Sequence, residues 1–213
     1  VRNQQHTGRR RQWVYLTVGA AAVATLIISG IGIGQYFSGP VDLHGNRVTY
    51  DDAAPPAAQS SAVPQIGTDR FEVPSVGLNV PFGALTSVDN VIEPPGFTSA
   101  YWVRDHGVSP KNASKGTVFV VMHSLRNGAV GPGNYLIDVD RRTAKVGLGA
   151  TIDVDDVEYT VTNTLAIDKP AIADANAVWA NTPNRLVVIT CLQRPGGGPS
   201  KQNIVIEATR KTT

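Results

Sequence analysis

The chain has 213 residues, 42% of them hydrophobic and 17% charged, with a formal net charge of +2. That balance suits a domain built on an apolar core and excludes the strongly basic face that nucleic acid requires. A single cysteine excludes an intramolecular disulfide, and the four scattered histidines have no zinc-ligand spacing, so no structural metal and no cofactor is expected.

The chain opens on a basic stretch, residues 1–12, containing Arg2, Arg9, Arg10 and Arg11. No charged residue follows until Asp42, and residues 13–37, "WVYLTVGAAAVATLIISGIGIGQYF", are long enough for a helix to cross a hydrocarbon core of about 30 Å. The excess of arginine before the run places residues 1–12 in the cytoplasm and the rest of the chain outside the cell membrane, as a single-pass protein. Trp13, Tyr15, Tyr36 and Phe37 stand where interfacial aromatics are expected. The small residues of "AAAVA" lie inside the apolar run and not after it, which favours an uncleaved anchor over a cleaved leader.

Residues 38–65 concentrate Pro, Ala, Ser and Gly without a sustained period, and read as a flexible extracellular linker. Residues 66–213 make one domain's worth of chain. Its apolar runs are short and β-branched: "RFEV", "LNVPF", "TVFVVM", "YLIDV", "ATIDV", "VEYTVTNTLAI", "RLVVIT" and "NIVIEAT", separated by turn residues. Eight such strands predict an all-β, closed barrel. "ATIDV-DD-VEYTV" predicts a hairpin with Ile152, Val154, Tyr159 and Val161 on one face. "PAIADANAVWA" allows at most a short helix.

Two positions carry chemistry. "KGTVFVVMHSLRN" places His123 at the end of one apolar strand, and "RLVVITCLQR" places Cys191 at the end of another. A thiolate is the nucleophilic form of cysteine, and a neighbouring imidazole serves as its base or ion-pair partner before passing a proton to a leaving amine.

"VVITC" resembles the Leu/Ile-x-Thr-Cys motif of sortases, membrane-anchored cysteine transpeptidases of Gram-positive bacteria, here of the actinobacterial class E or F kind. "DRFEVPSVGLNVPFG" resembles the family's first barrel strands. "VIEPPGFTSAYWVRDHG" resembles the next segment, where a proline pair precedes an aromatic-rich strand, and "GTVFVVMHS" is similar to the strand leading to the catalytic histidine. The motifs run in the family's order over about residues 66 to 209. The resemblance implies a sortase-type eight-stranded barrel, residues 66–213, acting on secreted proteins with a C-terminal sorting signal of the Leu-Pro-x-Thr-Gly kind. Cys191 would form a thioester with the signal's threonine, and His123 would shuttle the proton. The acceptor would be a cell-wall or pilin lysine amine, and Thr190 would line the peptide site.

The sequence departs from the family at two points. No arginine stands near the start of the strand after the cysteine loop, where "PSKQNIVIEATR" puts Lys201 or Gln202; Lys201 is the preferred replacement and Arg194 the alternative. A lysine supplies charge without the planar fork of donors. Met122 stands where many members have glycine. Loss of the arginine also admits a catalytically silent, membrane-tethered module that binds sorting-signal peptides. The acidic hairpin around Asp153, Asp155, Asp156 and Glu158 reads as solvated turn carboxylates, and no metal site is expected.

Overall fold

A computed structural model describes residues 40–48, 61–62 and 69–212. The basic stretch and the apolar run 13–37 lie outside the described residues. Among those described, no helix is long and apolar enough to cross a membrane.

Eleven strands occur among the described residues: β1 (Ser61–Ala62), β2 (Arg70–Val73), β3 (Leu78–Leu85), β4 (Ala100–Gly107), β5 (Thr117–Val121), β6 (Ile137–Asp138), β7 (Thr143–Ala144), β8 (Thr151–Val154), β9 (Val157–Asp168), β10 (Arg185–Leu192) and β11 (Gln202–Arg210). Eight of them close a barrel in the order β3–β2–β8–β9–β11–β10–β5–β4 and back to β3. The β3–β4 and β5–β10 pairs are parallel and the other six antiparallel. Closure pairs every strand on both sides, which removes the exposed edges that an open sheet must protect.

Seven of the eight expected runs supply barrel strands, but "YLIDV" does not. Pro132 starts a 3-10 turn, Pro132–Tyr135, which leaves Ile137 and Asp138 to form a two-residue hairpin with β7 outside the barrel. The eighth barrel strand is β4, "AYWVRDHG". Its polar half, Arg104 to Gly107, breaks the apolar pattern that marks the others. The hairpin of β8 and β9 forms as expected around Asp155 and Asp156, both at positive φ (49° and 64°), the geometry of a two-residue primed turn. "PAIADANAVWA" gives two short helical turns, Lys169–Ile172 and Asn176–Trp179.

Strand alternation divides the apolar residues into two clusters. The barrel interior holds Phe71, Val73, Ile152, Val154, Tyr159, Val120, Leu186, Val188, Ile204 and Ile206. The other face of β4, β5, β10 and β11 presents Tyr101, Val103, Phe119, Val121, Val187, Ile189 and Val205, covered by Ile92 from the β3–β4 connection and by Ile167, Ile172 and Trp179. All five residues of β5 are therefore buried, because both of its faces are packed.

Parts of the stretch read as a tether are held by the barrel. Ser61 and Ala62 pair with β3. Asp42 is 2% exposed, and its carboxylate accepts hydrogen bonds from the backbone of His44, Asn46 and Val130, while Leu43 N–H donates to Val130 O at 2.9 Å. Burial would raise the Asp42 carboxyl, but the bonds from Val130, Asn46 and His44 outweigh it and hold it at about 2.

Candidate active site

β5 and β10 run parallel in the register Val121↔Ile189. The ladder continues one step further, with Met122 N–H donating to Ile189 O at 3.3 Å. Two residues past the Val121↔Ile189 pair stand His123 and Cys191, so the strand ends that carry them are neighbours. Alternation along β10 turns Cys191 to the same face as Ile189, away from Thr190. Cys191 is a free, partly exposed thiol.

A polar clamp holds these two strand ends together. Ser124 Oγ donates to Cys191 O. Gln193 Nε2 donates to Ser124 O at 2.8 Å and to Ser124 Oγ at 3.0 Å. Behind the clamp, Gly133 N–H donates to His123 O at 2.8 Å, and Asn134 bonds Leu125 N–H and O through its side chain. Gly133 has to be glycine here, because a Cβ would lie 2.0 Å from Thr190 Oγ1 and 2.9 Å from His123 O.

The His123 side chain is 16% exposed. Its Nε2 lies 2.9 Å from Pro94 O, and since a carbonyl only accepts, Nε2 carries a proton and donates it in a hydrogen bond. Glu93 Oε1 lies 3.5 Å from the same Nε2, and the Phe97 ring lies tilted at 56° to the imidazole with centroids 4.8 Å apart.

Thr190 is placed differently from expectation. It is 4% exposed on the interior face of β10, and its hydroxyl donates to Met122 O at 2.9 Å. The register gives the reason: Thr190 and Cys191 are consecutive on a strand and must point to opposite faces. Its bond ties β10 to the end of β5 instead of lining a peptide site.

Antiparallel pairing sets Asn203 of β11 directly opposite Cys191. Lys201, two residues earlier, falls on the same face by alternation and is exposed. Lys201, Arg194, Arg142 and Gln193 line a pocket of about 420 Å³ beyond the end of β10, and neither Cys191 nor His123 lines it. Arg142 donates to Gln202 Oε1 at 2.9 Å. The cationic side chains thus gather in a pocket past the end of β10 that Cys191 itself does not line. The acidic hairpin is separate: Glu72, Asp153 and Glu158 share a surface of β2, β8 and β9, where burial, then Glu158 and Glu72, push the Asp153 carboxyl up. Among the described residues no three His, Cys, Asp or Glu side chains are grouped to hold a metal.

The sequence alone points to Cys191 and His123 as candidates and gives little signal for the contacts that Glu93, Pro94, Ser124, Gln193 and Asn203 make around them. The polar residue directly after His123 was the one local signal for the clamp, since the ladder had to end there. The others meet the site only through pairings between distant segments.

No protein-family model matches the sequence, and no curated protein does. Among solved structures the chain is similar to sortase A of Listeria monocytogenes, at 24% identity over 68% of this chain and 87% of that one, with a TM-score of 0.47. It is similar to a lid mutant of sortase A from Corynebacterium diphtheriae at 14% identity, covering 71% and 73% of the two chains with a TM-score of 0.49. It is also similar to sortase C-1 from Actinomyces oris at 12% identity, covering 68% and 74%, with a TM-score of 0.47.

Proposed function

We propose that this chain is a sortase-type cysteine transpeptidase of the actinobacterial class E or F kind. The observation that supports the reading is the parallel register Val121↔Ile189 of β5 and β10, which His123 and Cys191 each follow by two residues. The ordered motifs from "DRFEV" to "VVITC" point the same way.

In the reaction, His123 takes the Cys191 proton, and the thiolate attacks the Thr–Gly carbonyl of a Leu-Pro-x-Thr-Gly-like signal. The C–N bond breaks, the threonine stays on Cys191 as a thioester, and the imidazolium protonates the departing glycine amine. An incoming amine, from a cell-wall peptide or a pilin lysine, gives its proton to His123 and displaces the thiol, forming a new amide. The oxyanion at the carbonyl needs a donor, and Lys201 is assigned that role with Arg194 as the alternative.

Residues 13–37 are assigned as the anchor, with residues 1–12 cytoplasmic and the barrel outside. Tethering keeps the enzyme where translocated substrates emerge. The second reading, a silent peptide-binding module, is favoured by one observation: Asn203, and no arginine, stands across from Cys191. A transfer assay separates the two. The full chain, a fluorescent sorting-signal peptide and an amine acceptor should give the ligated product. Binding of the peptide without cleavage, across a library of signal sequences, would establish the silent module instead.

A further inference from the structure

The His123 ring has a second polar neighbour that the proton-transfer scheme does not use. Glu93 and Pro94 lie in the connection between β3 and β4, which closes over the outer face beside Ile92. Nε2–H donates to Pro94 O at 2.9 Å, and the Glu93 carboxylate stands 3.5 Å from the same nitrogen. One short segment therefore engages Nε2 and sets an anion beside it. Phe97, from the same segment, holds the ring face at 4.8 Å. In hydrolases that pair a nucleophile with histidine, a carboxylate at this edge orients the base and stabilises the imidazolium without itself being protonated.

We propose that Glu93 is a positioning residue for His123, completing a Cys191–His123–Glu93 set; this rests on the transpeptidase reading above. When the His123 ring accepts the Cys191 proton it becomes cationic, with Nε2–H still donating to Pro94 O and the Glu93 carboxylate facing the new charge. When the ring gives the proton to the leaving amine, the cation disappears and Glu93 is unchanged. The carboxylate thus favours the charged ring that pairs with a thiolate. Glu93 is 45% exposed and His123 only 16%, so the interaction is screened on one side and not on the other. Arg126, three residues past His123 on the same loop, has a partner of its own, and the Cys191 thiol lies at the end of the neighbouring β10.

The test reads His123 directly. The full chain is labelled with 13C-histidine, the His123 ring resonance is assigned by its loss in His123→Ala, and its titration is followed by NMR. Glu93→Gln should lower the His123 midpoint by about half a pH unit or more, as expected for removal of a nearby opposite charge. Glu93→Asp should retain part of the difference, and about 1 M salt should narrow the gap between wild type and Glu93→Gln. Peptide turnover should show a lower kcat with KM for the signal peptide little changed. Coincident titrations of wild type and a folded Glu93→Gln chain would overturn the proposal. If Glu93→Gln fails to fold, the salt response of the wild-type midpoint decides: no movement at high salt overturns it. A midpoint that falls in Glu93→Gln while wild type shows no turnover upholds the pairing and rejects the transpeptidase reading, so the two failures are distinguishable.

Discussion

Ser124 Oγ donates to the main-chain carbonyl of Cys191, so the residue that follows His123 holds the residue that carries the thiol. Two strand ends that belong to distant parts of the sequence are thereby locked where the chemistry needs them. Ser124→Ala should leave the barrel folded but loosen this lock. The acylation rate should fall, by about tenfold if the bond contributes about 1.4 kcal/mol in the transition state. Stopped-flow measurement of peptide cleavage checks it, and an unchanged rate would make the clamp ornamental to catalysis.

Cys191 is partly exposed at the end of its strand. It should react with a methanethiosulfonate reagent in the native protein, and Cys191→Ala should abolish both labelling and cleavage while the melting curve stays close to wild type. A thiol that labels only after denaturation would return Cys191 to the role of a small buried hydrophobe.

The oxyanion donor can be identified by ranking substitutions. Removing one donor from such a centre commonly costs about 10²–10³ in rate. Lys201→Ala should lose a comparable factor, Lys201→Arg should preserve or raise activity through its forked donors, and Arg194→Ala should matter less. The reverse ranking would assign the role to Arg194. If neither substitution matters in an active enzyme, the donor lies elsewhere, with Gln202 or a backbone N–H as the next candidates.

Gly133 tests how closely the site is backed. A Cβ there would sit 2.0 Å from Thr190 Oγ1 and 2.9 Å from His123 O, so Gly133→Ala must push the turn away from β10 and from the segment after β5. The expected cost is about 1–3 kcal/mol of stability from overpacking. Turnover should drop further than the folded fraction explains, because the His123 carbonyl is displaced. Denaturant melts and kcat measured together separate the two effects.

The interior carries one testable polar defect. Tyr159 is fully buried and its hydroxyl has no hydrogen-bond partner among the described residues. Tyr159→Phe should be neutral or raise stability by about 1 kcal/mol. Burial pushes the phenol up to about 12, against the smaller pull of Arg210. A phenol raised in the folded state contributes stability that is complete below about pH 10, the unfolded value, and lost as pH climbs toward 12. Wild type should therefore lose more stability than Tyr159→Phe across that window, measured by urea titration at each pH.

Much of this architecture was legible in the sequence because a closed barrel writes a period of two into each strand. "TIDV" and "VEYTV" are read correctly from alternation alone, and the Asp155–Asp156 pair marks their turn. "AYWVRDHG" is legible only through the family resemblance, because it is polar over half its length, while "YLIDV" misleads because a proline turn preempts it. Cys191 and His123 stand out in the sequence as candidates at strand ends. Thr190 stands beside Cys191 in the motif, but the pleat sends its side chain inward. Glu93 and Gln193 were invisible, since their roles arise from contacts across the fold.

The central claim is that Cys191 becomes acylated by a sorting-signal peptide with His123 moving the proton. Intact-mass spectrometry of the full chain, quenched in acid during turnover without an added amine, tests it most directly. The account predicts an adduct equal to the peptide's portion up to and including threonine, mapped to Cys191, absent in Cys191→Ala and formed about 10²–10⁴ more slowly in His123→Ala. Amine added before the quench should discharge it. A protein that binds the peptide yet never shows the adduct, or one in which His123→Ala acylates at the wild-type rate, would contradict the account.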